Sequence, residues 1–200
     1  MTERILVLGL GNVLLGDEGL GVWVVERLER RYEFPATVTL VDGGTLGLDL
    51  LPWLEGVECL LVIDAVKFGE EPGVIVRLEG DAVSRVLSVK LSPHQVGVQD
   101  LLAAARLVGR EPPRVVLWGM QPRQLDLATG FSPEVEEALP QLEAAVLDEL
   151  RSWGASGRPR AHAAPPPVWW EEPRVGSPRH AGGRRVLDFR PKRRRGLQAQ

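Results

Sequence analysis

ILVLGLGNVLLGDEGLG, residues 5–21, is the stretch that decides the fold. Ile5-Leu6-Val7-Leu8 is a short run with no polar break, the pattern of a parallel strand buried on both faces. Gly9 and Gly11 follow at once, then Asn12, an apolar patch, Gly16 and two adjacent acids, Asp17 and Glu18. Leu20, Val24 and Leu28 then recur four apart, on one face of a helix. Strand, glycine turn, acidic pair and helix in that order predict an open α/β sheet. Ligands meet such sheets at the carboxyl ends of the strands. The acidic pair stands at that edge.

The glycines invite a dinucleotide-binding reading, and the residues argue against it. The Gly-x-Gly-x-x-Gly fingerprint would place its third glycine at position 14, which is Leu14. Asp17 and Glu18 suit the positive end of a helix dipole but would repel a pyrophosphate held there. A nucleotide-binding α/β enzyme therefore stays as a minor alternative.

Outward from this stretch, residues 37–41 (TVTLV) read as a second strand from their β-branched side chains. They run into Asp42-Gly43-Gly44-Thr45. A DG step can form a hairpin turn, but no strand pattern follows. Residues 46–51 are apolar and helical in pattern, and Pro52 is expected to stop or kink them. Residues 57–63 (VECLLVI) form the most apolar strand and lead straight into Asp64. Residues 74–78 (VIVRL) are a fourth strand, nearer an edge. Residues 84–91 show no clear pattern. Ser92-Pro93-His94-Gln95 reads as a loop before a helix whose apolar face is Val98, Leu101, Leu102, Ala105 and Val108. Residues 114–118 (RVVLW) are a fifth strand. Ser132 is expected to cap a last helix, with Pro133 at its first position and Glu134, Glu136 and Glu137 in its first turns. That helix stops at Gly154. The alternation predicts a three-layer, doubly wound α/β sandwich of about five mostly parallel strands between helices.

The chain is 44% hydrophobic and 26% charged, which fits one folded domain with an appendage. No apolar run is long enough to span a membrane, and the start does not read as a signal peptide. Cys59 is the only cysteine, so a disulfide framework and a thiolate metal cage are excluded. The expected compartment is the reducing cytoplasm. The net charge of -3 conceals two unlike parts. Residues 155–200 carry eleven Lys/Arg against three acids, a net of +8, which leaves -11 for residues 1–154. The expected division is a domain over 1–154 and a basic Pro/Arg/Gly-rich tail over 155–200 without fixed structure. Val168-Trp169-Trp170 is the part of the tail expected to dock on something. A basic tail can meet nucleic acid or an acidic protein surface, and a solvated tail without a fixed partner is the simpler expectation.

Glu18, Asp42, Asp64 and His94 each fall at or just after a strand's carboxyl end, or on the loop entering a helix. Parallel topology brings such positions to one rim. Each has a plainer reading too. Asp17 can cap the first helix and Glu18 can answer its dipole. Asp42 can serve only its turn, and His94 can bond to backbone. Asp64 is hardest to dismiss, because an acid directly after so apolar a strand needs a partner or water. Two carboxylates and an imidazole suit a divalent ion such as nickel or zinc with positions left open. The same groups suit acid/base work. Both roles stay open at this point.

LGLGNVLLGDEGLG, VDGG, VIDA and SPHQ, in this order and spacing, resemble the maturation endopeptidases of NiFe-hydrogenases. The resemblance covers residues 4–153 and leaves the tail outside. It implies a cytoplasmic protease with a five-stranded sheet between helices. Such a protease removes a short C-terminal extension from the hydrogenase large-subunit precursor after nickel insertion. It implies Glu18, Asp64 and His94 as metal-contacting and catalytic residues. It implies a nickel contributed by the substrate, no organic cofactor and no membrane partner. Asn12, Asp17, Asp42, Gly43 and Gly44 become the implied substrate-binding set. The family is grouped with aspartic-type endopeptidases, although this chain has no paired D-T-G signature. A cysteine protease is disfavoured, since Cys59 lies inside a strand. The main alternative is a nickel-dependent docking or chaperone protein that binds the same precursor without cutting it.

Overall fold

The computed structural model describes residues 3–87, 93–128, 130–162 and 185–189, with the side chains of residues 86, 87 and 93–96 outside that description. The elements in chain order are β1 (Ile5–Leu10), α1 (Leu20–Arg31), β2 (Tyr32–Glu33), β3 (Val38–Gly44), β4 (Cys59–Ala65), β5 (Ile75–Glu79), α2 (Asp81–Leu87), α3 (Pro93–Leu107), β6 (Arg114–Met120), α4 (Pro133–Ser152), β7 (Arg158–Pro159) and β8 (Val186–Phe189). Short 3-10 turns cover Gly16–Gly19 and Gly47–Leu54.

The main sheet has the order β3-β1-β4-β6-β5-β8. β3, β1, β4 and β6 are parallel, β5 is antiparallel to β6, and β8 is parallel to β5. β1 and β4 sit in the middle and are buried along their whole length. That is why they read as unbroken apolar runs rather than as alternating ones. Ile5, Val7, Leu61 and Ile63 pack with α1 and α4 on one face. Leu6, Leu8, Leu60 and Val62 pack with Val98, Leu101 and Ala105 of α3 on the other. Leu20, Val24 and Leu28, the expected inner face of α1, are all fully buried. The α/β sandwich is thus the architecture expected, with helices on both faces of a mostly parallel sheet.

Several local expectations are corrected. Residues 81–87 are helical where no pattern was legible. Pro52 lies inside the Gly47–Leu54 turn rather than ending it. A 3-10 segment tolerates this because it asks for fewer sustained backbone bonds than an α-helix. Ordered packing also continues past Gly154. Ala155 is buried in the α1/α4 core, and β7 pairs antiparallel with β2. Farther on, β8 adds a sixth strand beside β5. Main-chain pairing, which composition does not report, lets these short segments order themselves. Val168, Trp169 and Trp170 lie outside the described residues.

Candidate active site at the carboxyl rim of the sheet

The register places the candidate residues on one edge. Gly9 of β1 stands opposite Asp42 of β3 and Ile63 of β4, and Asp64 stands opposite Gly119 of β6. The carboxyl end of β1 therefore lies between the two strands that carry Asp42 and Asp64. Alternation along β4 directs Asp64 to the same face as Leu60 and Val62, the face that α3 covers. His94 occupies the first turn of α3. Its side chain lies outside what the structure describes.

Glu18 reaches the rim through glycine packing. The Gly16–Gly19 turn precedes α1, and α1 begins at Leu20 rather than at the acidic pair. A Cβ on Gly21 would stand 2.2 Å from the Ile63 carbonyl oxygen and 2.5 Å from that of Leu10. Only a glycine lets the start of α1 settle onto the ends of β1 and β4 this closely. Gly11 adopts φ +121°, and a Cβ there would lie 1.7 Å from the Glu18 carbonyl oxygen. The spaced glycines therefore bring a helix start onto the strand ends, with no need of a phosphate to explain them.

Glu18 and Asp64 are both buried, at 3% and 0% exposure. Among the described residues no group of three or more His, Cys, Asp and Glu could hold a metal ion.

Asn12 and Asp42 shape their own loops. Asn12 Oδ1 accepts from the Leu14 amide at 3.0 Å, and Asp42 Oδ1 accepts from the Gly44 amide at 2.9 Å. The Gly11 amide bonds to the Gly44 carbonyl at 3.0 Å, which ties the two loops together. Gly44 takes φ +43°, and a Cβ on Gly43 would press on Leu10 at 2.8 Å. Burial raises the Asp42 carboxyl above its ordinary range, and the Gly44 amide opposes that shift in part. On the neighbouring helix, burial pushes the Glu26 carboxyl up to about 7, and the like charge of Asp42 adds to the effect.

Asp17 departs from expectation. It neither caps α1 nor faces solvent: it is fully buried, and the turn shows no side-chain cap. Its Oδ1 accepts from the Ser132 amide at 2.7 Å. Its Oδ2 accepts from the Ser132 hydroxyl at 2.8 Å and from the amides of Arg123 at 2.9 Å and Gln124 at 3.2 Å. These donors hold both oxygens, so Asp17 is not presented to a substrate. Ser132 is correspondingly at the start of α4 without a side-chain cap bond, because its hydroxyl is turned to Asp17.

Gln121 was not singled out from sequence. Its Oε1 accepts from the amides of Phe68 at 2.9 Å and Gly69 at 3.2 Å, and its Nε2 donates to the Pro122 carbonyl. It thereby ties the loop after Asp64 to the end of β6. Its position one residue past a strand at the same rim was the available signal. Cys59 is buried at the far end of β4 beside Glu3, and burial pushes its thiol up to about 11. A protonated thiol away from the rim is a poor nucleophile.

The chain resembles known proteins in sequence and fold. The hydrogenase maturation protease family HycI matches residues 22–149. The hydrogenase expression/formation protein HupD of Rhodobacter capsulatus is 47% identical over 154 residues, covering 76% of this chain and 73% of that protein. The hydrogenase 2 maturation protease of Escherichia coli strain K12 is 40% identical over 158 residues, covering 78% of this chain and 96% of that protein. The solved structure of the hydrogenase maturating endopeptidase HybD from Escherichia coli superposes with a TM-score of 0.76 at 40% identity, covering 79% of this chain and 98% of that one.

Proposed function

The chain belongs to the hydrogenase maturation protease family, and from that membership we propose that it removes the C-terminal extension of a NiFe-hydrogenase large-subunit precursor once nickel is in place. The observation that carries the reading at residue level is the pair of buried carboxylate residues, Glu18 and Asp64, brought to one rim by Gly21. His94 lies in the first turn of the helix covering the Asp64 face, and the family resemblance assigns it as the third donor. Carboxylate and imidazole donors suit a borderline divalent ion such as nickel. That nickel arrives with the precursor and is part of the substrate.

Peptide hydrolysis needs a base for the attacking water and a group that polarises the carbonyl. Asp64 is assigned the base, with Glu18 second and His94 third. Asn12, Asp42, Gly43 and Gly44 form the adjoining loops against which the precursor would be held. No helix among the described residues is long and apolar enough to cross a membrane. A cytoplasmic reaction is part of the proposal and follows from the family resemblance. The test is the intact mass of the nickel-loaded precursor after incubation with this protein. Loss of a C-terminal peptide is expected. An unchanged mass with stable co-purification of the two proteins would support a docking or chaperone role instead.

A further inference from the structure

We propose that Asp17 is a positioning residue for the cleavage: its carboxylate clasps the loop between β1 and α1 to the loop between β6 and α4, and so fixes Glu18 at the rim. The proposal rests on the reading of Glu18 as part of the reacting site.

The turn that carries Glu18 is short and flanked by glycines. Glu18 sits in a 3-10 turn between Gly16 and Gly19, with its amide bonded to the Leu15 carbonyl at 3.2 Å. Gly16 is at φ +56°, and no side chain caps the turn. Glycines restrain the backbone least, and 3-10 bonds are poorer in geometry than α-helical ones.

Beyond the glycine packing at the strand ends, a second restraint comes from across the fold. Asp17, itself fully buried, accepts from the Ser132 amide and hydroxyl in a buried setting and from the amides of Arg123 and Gln124 in a part-buried one. Bonds to an ionised acceptor are shorter and stronger than neutral ones, and burial removes competing water. Ser132 would ordinarily cap α4 through its side chain. It instead donates its hydroxyl to Asp17. The two loops touch again nearby: the Ala128 amide bonds to the Leu14 carbonyl at 3.3 Å, and Leu15 bridges to Ala128. Adjacent residues thus divide the work, with Asp17 turned inward to hold the turn that carries Glu18.

The test compares wild type, Asp17→Asn and Ser132→Ala as full chains, at a temperature where each is folded by circular dichroism. Asparagine keeps the shape but offers one acceptor oxygen, and its NH2 group faces donors. Because a misplaced reacting group slows the step rather than the docking, kcat for the nickel-loaded precursor is expected to fall by about ten- to a hundredfold. KM is expected to stay within about twofold of wild type. Ser132→Ala should show the same split with a smaller loss, and it carries the test if Asp17→Asn does not fold. Wild-type kcat in the folded variants, or a loss confined to KM, overturns the proposal. If wild type cuts no precursor, the reading of the site has failed, and amide hydrogen exchange decides the clasp alone. Faster exchange in both residues 16–20 and residues 123–124 of Ser132→Ala is expected; unchanged exchange in either loop overturns the clasp.

Discussion

Gly21 of α1 and Ile63 of β4 meet backbone to backbone, at a distance that leaves no room for a methyl group. This contact seats the start of α1 on the end of the strand that carries Asp64. Gly21→Ala would drive a Cβ against the carbonyls of Ile63 and Leu10, both backbone groups that cannot rotate away. Overpacking of this kind costs about 1–3 kcal/mol or more. Urea denaturation is expected to show at least that loss, and processing should fall even where the variant is folded. An unchanged midpoint would mean that the helix can shift off the strand end freely.

Asp64→Asn tests the assigned base. The substitution preserves volume in a fully buried position, so a folded protein is expected. Removing a general base typically costs about a hundred- to ten-thousandfold in rate. Processing of the nickel-loaded precursor, followed by mass, should drop within that range. Complete processing by Asp64→Asn at the wild-type rate would remove Asp64 from the chemistry.

The buried Arg77 of β5 predicts a sharp contrast between two of its acidic partners. Glu149 of α4 receives it through two bonds, at 2.6 and 2.8 Å, and also accepts from the Trp118 indole at 3.2 Å. Asp188 of β8 lies 3.4 Å from it and is 37% exposed at its side chain. Breaking a buried pair from one side costs about 3–5 kcal/mol, because the other charge stays buried. Glu149→Ala should lose about that much by denaturant unfolding. Asp188 meets Arg77 by one long contact from a side chain that solvent reaches, so Asp188→Ala should lose about 1 kcal/mol or less. Equal losses would show that β8 and its ion pair hold the sheet as firmly as α4 does.

Glu26 sets a pH dependence of stability. Its carboxyl is raised from 4.5 to about 7, chiefly by burial and then by the charge of Asp42, with Arg30 opposing and Glu29 adding. Below 4.5 the group is protonated whether the chain is folded or not, and it imposes no penalty. Between 4.5 and about 7 the unfolded chain releases this proton while the folded chain keeps it. Its contribution therefore lowers stability as pH rises through that window, and the penalty is complete above it. Glu26→Gln removes the titration. Stability measured against pH should fall more steeply through the window in wild type than in the variant; parallel profiles would contradict the assignment.

The parts legible in the sequence were those governed by local pattern. Ile5-Leu6-Val7-Leu8 announced a central strand because both of its faces are covered, and Leu20, Val24 and Leu28 announced the inner face of α1. Topology then brought Glu18 and Asp64 to one rim. Asp17 was misread because its donors lie more than a hundred residues away and three of them are backbone amides, which leave no trace in side-chain identity. Ser132 was placed correctly at the start of α4, but the direction of its hydroxyl depends on that same distant carboxylate. Arg77 read as a residue near an edge because its burial depends on Glu149, 72 positions later. Val186–Phe189 was hidden by the basic composition around it, since parallel pairing with β5 uses main-chain groups.

The most direct test of the central claim is a paired intact-mass measurement on one hydrogenase large-subunit precursor, prepared nickel-loaded and nickel-free, each incubated with this protein. The account predicts loss of a C-terminal peptide from the nickel-loaded sample alone, because the metal presented by the substrate completes the set begun by Glu18, Asp64 and His94. Equal cleavage of both samples would contradict the metal-reading role, and no cleavage of either would contradict the protease itself.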